Sequence, residues 1–247
     1  YQLATMFTQT ELHGIDRPLG RFEEVGYPTG VVLLAGSRLA GSPLAARLGG
    51  ALVALALLAF SVVLARRLWE TQVDRTPMLS RYAVVAAAAA LWAVLTLPAW
   101  LTSPLARPAL LGAPAAGHLL LLGVVGFVVL GTVYHVVPFV VWVHRYSDRL
   151  GYEPVPMVDD LYDDRLAVGD FWCLLLGSGL FVVGDLLDLP PAVSAVGGVA
   201  VLTGTLLFVA NIVGVVREHA PQSLSVMLFG RWAVVESEGT PASVEND

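Results

Sequence analysis

Residues 115–143 read Ala-Ala-Gly117-His118-Leu-Leu-Leu-Leu-Gly123-Val-Val-Gly126-Phe-Val-Val-Leu-Gly131-Thr-Val-Tyr134-His135-Val-Val-Pro138-Phe139-Val-Val-Trp-Val143. A helix that crosses a hydrocarbon layer of roughly 30 Å needs about 20 mostly apolar residues. This stretch exceeds that length and shows no period-2 alternation, so it reads as a transmembrane helix and not as a barrel strand. Working outward, residues 48–68, 82–101 and 193–216 meet the same test. Residues 168–189 do so with Asp170 near their start and Asp185 and Asp188 near their end. Residues 24–44 form a weaker sixth segment, interrupted by Arg38. The expected fold is therefore all-α, a polytopic transmembrane helix bundle of about six spans.

Composition points the same way. Of 247 residues, 56% are hydrophobic and only 14% are charged, with a mean hydropathy of +0.72; soluble domains sit near a quarter charged. The net charge of −6 argues against a nucleic-acid partner. All 14 basic residues are arginine, which with the acidic excess suggests a halophilic prokaryote. Cys173 is the single cysteine, so an intrachain disulfide and a multi-cysteine metal site are both excluded. The domain expected is a single membrane unit over residues 1–231, followed by an acidic, disordered tail over 232–247. Tyr1 to Phe7 reads as the end of a helix that began upstream, as in the C-terminal part of a longer protein.

Arginine placement orients the bundle. With six spans and the start inside, Arg17, Arg21, Arg66, Arg67, Arg75, Arg81, Arg145, Arg149, Arg165, Arg217 and Arg231 fall on the cytoplasmic side. Arg47 and Arg107 fall outside, and Arg38 lies in a helix. This is the asymmetry of the positive-inside rule; it predicts a multi-pass protein of a prokaryotic plasma membrane with a cytoplasmic C-terminus.

Ionisable groups within spans are the first candidates for function, because burying them is costly. His13, His144 and His219 fall in cytoplasmic segments or at a helix end, whereas His118 and His135 lie on the long apolar helix. Their separation of 17 residues puts them about 25 Å apart along a helix axis and, on a uniform α-helix, rotated by roughly 100°. They cannot share a metal ion. Gly117, Gly123, Gly126 and Gly131 leave grooves that admit a neighbouring helix or a flat cofactor. A histidine among such residues suits axial ligation of haem iron, or a hydrogen bond to another helix. The loop carrying Asp159, Asp160, Asp163 and Asp164 can be read as a cation or partner site, but a solvated acidic loop fits the composition better. Phosphate loops of the Walker type, His-Glu-x-x-His, Gly-x-Ser-x-Gly and cysteine pairs do not occur.

The stretch from Gly117-His118 to Gly123, continued by Gly131-Thr-Val-Tyr134-His135-Val-Val-Pro138-Phe139, resembles the tenth helix of haem-copper oxidase subunit I and related NnrS-like proteins. On that resemblance the six spans correspond to the family's seventh to twelfth helices. The family's helix carries a His-x-His pair. His118 matches its low-spin haem ligand, and Ala116 stands where the high-spin ligand should be. His135 with Pro138 matches a later histidine of some members, a weaker second iron site. The 24–44 segment lacks the copper-binding His-His pair, and 168–189 lacks the paired arginines for haem propionates.

The resemblance thus implies one b-type haem (iron held by His118, with Gly117 and Gly123 beside it), no copper and no oxygen-reducing centre. The role implied is electron transport in respiratory or nitric-oxide-related physiology, without catalysis by the chain alone. The second axial ligand must come from an upstream half or from another membrane subunit. Two other readings remain open: a cofactor-free structural or assembly subunit of a respiratory complex, and a transporter. The second has little polar pathway beyond Asn211 and the aspartates at the end of the fifth span.

Overall fold

The computed structural model describes Thr5 and residues 8–219. The segment Tyr1 to Phe7 read as an upstream helix end lies almost wholly outside these, and Arg231 and the acidic tail lie outside them altogether. Six long helices follow in order: α1 Asp16–Ala40, α2 Pro43–Trp69, α3 Pro77–Thr102, α4, α5 Asp164–Leu187 and α6 Pro191–His219. Helix α4 opens as a π-helical stretch, Leu119–Gly126, and runs on as α-helix over Phe127–Tyr146. There is no β-strand among the described residues. Five helices, α2 to α6, are long and apolar enough to cross a membrane. The chain is a multi-pass all-α bundle suited to a lipid bilayer.

Local chemistry sets the helix ends. Helices α2 and α3 start with proline in the first turn, where its missing N–H costs nothing. Thr76 Oγ1 accepts from Leu79 N at 3.3 Å, and Asp163 Oδ1 accepts from Arg165 N at 2.7 Å. Helix α1 stops at Gly41, whose φ of 67° is the left-handed conformation glycine adopts freely. These caps move the weak sixth segment. It covers 16–40 rather than 24–44, because its first two turns are polar and hydropathy alone passed over them; it is not among the helices apolar enough to cross a membrane, so the described residues hold five such helices where about six were expected. Arg38 does not interrupt it. Sitting in its last turn, Arg38 donates to the carbonyls of Pro104, Ala109 and Leu110 at 3.0–3.3 Å. That connection is pinned further by Trp100 Nε1 on Ala109 O (2.7 Å) and Trp92 Nε1 on Leu111 O (2.9 Å).

Helix α1 lies antiparallel along α2. Asp16 meets Arg66 and Arg67 at one end, and Gly30 meets Gly49 further along. The main core, with Val85, Ala89, Trp92, Trp100, Leu119 and Phe127, fills the space between α2, α3 and α4. Helices α5 and α6 form a hairpin whose axes approach at Gly177 and Gly197. A Cβ at Gly177 would sit 2.7 Å from the Gly197 carbonyl oxygen, so Gly177→Ala should force the hairpin apart. Overpacking of this kind costs about 1–3 kcal/mol. Thermal unfolding in micelles should fall for Gly177→Ala and hold or rise slightly for Gly36→Ala, where nothing lies within 4 Å of the added atom and alanine is the better helix former. Equal midpoints would show that the hairpin is not packed this closely.

The π-helical opening of α4 has a further effect. Its wider turns change the angular register between His118 and His135, so the rotation expected of a uniform α-helix does not apply. His118 stays at the start of the helix, and His135 falls near its middle.

Candidate functional site at the His118 end of the bundle

His118 sits one residue before the π-helical segment, at the end of the bundle remote from most of the arginines. Its Nδ1 lies 2.5 Å from Asp185 Oδ2, two residues from the end of α5. Its ring stacks on Phe181 with centroids 4.8 Å apart. Asp185 and Phe181 are four residues apart on one face of α5, so one helix supplies both the polar and the apolar contact. An open pocket of about 670 Å³ is lined by His118, Gly117, Asp185, Asp188 and Ser194, among others. A Cβ on Gly117 would meet nothing within 4 Å, which leaves the pocket side of α4 clear at this level.

Gly123 behaves differently. A Cβ there would lie 2.8 Å from the Ala88 side chain, so Gly123 lets α4 approach α3 closely; it lines a separate apolar pocket of about 240 Å³ with Ala88 and Leu175 and does not line the pocket of His118. Ala116 is fully buried in the core. His135 is near the middle of α4 and stacks on Phe139, with centroids 5.9 Å apart. Among the described residues no group of three or more His, Cys, Asp or Glu side chains could hold a metal ion.

The remaining histidines lie at the arginine-rich end. His13 Nε2 is 3.7 Å from Glu70, His144 Nδ1 is 2.8 Å from Val140 O, and His219 Nδ1 is 3.0 Å from the Tyr146 hydroxyl. The acidic loop is engaged by its own backbone. Asp160 accepts from Met157 N at 2.8 Å, Asp163 caps α5, and Tyr162 donates to Asp159 at 3.3 Å. Partial burial and then the Asp159 charge push the Tyr162 phenol well above its usual range.

A second polar cluster was missed by sequence reasoning. Arg81, in the opening turns of α3, pairs with Asp170 of α5, and both side chains are essentially inaccessible. Arg81 also donates to Pro77 O (2.9 Å) and Ala167 O (3.2 Å) and lies over the Tyr134 ring at 4.4 Å. The Tyr134 hydroxyl donates to the other Asp170 oxygen and accepts from Asn211 Nδ2 at 3.0 Å. Asn211 Oδ1 accepts from Asp163 N at 2.9 Å, and Nδ2 also donates to Asp163 O at 2.8 Å. Four helices meet in this cluster. A second buried pair, Asp16 with Arg67, joins α1 to α2 and draws in Glu70 and the Glu11 carbonyl. The available signal was pairwise: Arg81 and Asp170 both sit in the opening turns of long apolar spans, where an unpaired charge is not tolerated.

The fold and these sites define a class, a multi-pass helical membrane protein with a closed ionic core near one end and an open His–Asp pocket at the other. Compared with protein-family models, with curated proteins and with solved structures, the chain matches none.

Proposed function

We propose that the chain is a haem-binding membrane protein of the haem-copper oxidase subunit I-like kind, serving electron transfer and lacking an oxygen-reducing centre. The observation that carries this reading is His118: it lines an open pocket at the end of the bundle remote from the other histidines, with clear space beside it at Gly117. The donor chemistry fits the group. A histidine whose Nδ1 faces a carboxylate keeps Nε2 as the ligating atom. His118 would hold the iron, Phe181 would fix the ring plane, and Gly117 would let the macrocycle edge approach. Bound there, haem supplies reversible one-electron chemistry, and the chain supplies orientation and dielectric.

Buried Ala116 is consistent with a single haem. A second ligand for the iron would come from an upstream part of the protein or from another membrane subunit. The reduced-minus-oxidised spectrum of the purified full-length protein tests the proposal. A low-spin b-type band is expected, and its absence would favour the cofactor-free structural subunit.

The orientation we infer puts the arginine-rich end in the cytoplasm of a prokaryote. A reporter active only outside the cytoplasm, fused after Asp247, should stay silent; activity would mean that the topology is inverted or the number of crossings odd.

A further inference from the structure

We infer that Asp185 is a positioning residue for His118, fixing its tautomer and setting its donor strength toward a bound iron. This rests on the haem reading and deepens it. The 2.5 Å contact joins two helices, α4 and α5, and leaves the pocket wall only 43% and 31% exposed at the two side chains. A carboxylate is acceptor-only when ionised, so Nδ1 must carry the proton it donates. Neutral His118 is then protonated on Nδ1 and bare on Nε2, the form that binds a metal. The Phe181 stack restrains the remaining freedom of the ring. Outer partners of this kind raise ligand basicity, and their loss typically loosens metal binding about 10–100-fold.

Asp188 provides an internal control. It lines the same pocket, carries the same charge, and no hydrogen bond joins it to His118. Its φ of 49° is left-handed, a conformation that asparagine tolerates well. Asp188→Asn therefore removes a nearby charge without touching the ligand, whereas Asp185→Asn removes the charge and the strong acceptor together.

The test uses the full-length protein with haem loaded during expression. In Asp185→Asn, haem transfer to a scavenger globin should show about 10–100-fold weaker retention. The midpoint potential should rise, because a less electron-rich imidazole stabilises ferric iron less. Asp188→Asn should weaken retention less and move the potential less. Haem bands with unaltered retention and potential in Asp185→Asn would overturn this inference alone, as would equal shifts in both variants. A wild type without haem bands would overturn the haem reading and this inference with it. Histidine-labelled NMR of the wild-type protein gives a check that needs no variant to fold. In the neutral ring the proton should sit on Nδ1; a neutral ring protonated on Nε2 would overturn the assignment.

Discussion

Arg81→Ala is expected to cost about 3–5 kcal/mol of stability, the range for stripping one partner from a buried ion pair. Asp170 would be left charged and inaccessible between α3, α4 and α6, with only the Tyr134 hydroxyl in contact. In a bilayer that carboxylate has no water to turn to. Tyr134→Phe should cost less, about 1.5–3 kcal/mol, because it removes one hydrogen bond to a charged group. The double change Arg81→Met with Asp170→Leu should recover most of the loss, since well-packed apolar residues often replace a buried pair at little cost. Thermal unfolding in micelles of the four proteins reads this directly. If the double variant is as unstable as Arg81→Ala, the defect lies in packing and the ion pair is not its source.

If His118 holds a haem as proposed, His118→Ala should abolish the haem bands, while His135→Ala should leave them largely intact. His118 lines the open pocket, and His135 stacks on Phe139 near the middle of the same helix. Reduced-minus-oxidised spectra of the two variants of the full-length protein separate the possibilities. Equal loss from both would point to general misfolding and would remove the assignment of the ligand. Bands that survive in His118→Ala would place the iron elsewhere.

The spans were legible in the sequence because a bilayer imposes one demand on every residue facing it. The expected segments 48–68, 82–101, 115–143, 168–189 and 193–216 coincide with α2 to α6 to within a turn or so at each end. The first helix was displaced by about two turns, since its bounds depend on the polar turns after Asp16 and on Gly41 in the left-handed conformation. Gly123 and Gly117 look alike as letters in an apolar run. Only the approach of Ala88 makes the first a packing contact, and only the empty space beside the second makes it part of the pocket. Arg81 was read as a cytoplasmic cation because it borders a loop, yet its guanidinium turns inward to Asp170.

Hydropathy and arginine placement by themselves thus determined an all-helical, multi-pass protein, the order of its spans, and His118 and His135 as histidines within them. These properties follow from transfer free energies and a helical rise that each segment carries alone. The pairing of charges was decided by the tertiary structure. Arg81 meets Asp170 across 89 residues of chain, Asp16 meets Arg67 across 51, and His118 meets Asp185 across 67. Such contacts depend on which helix faces lie opposite one another, which side-chain packing and close glycine approaches settle only when the whole bundle assembles.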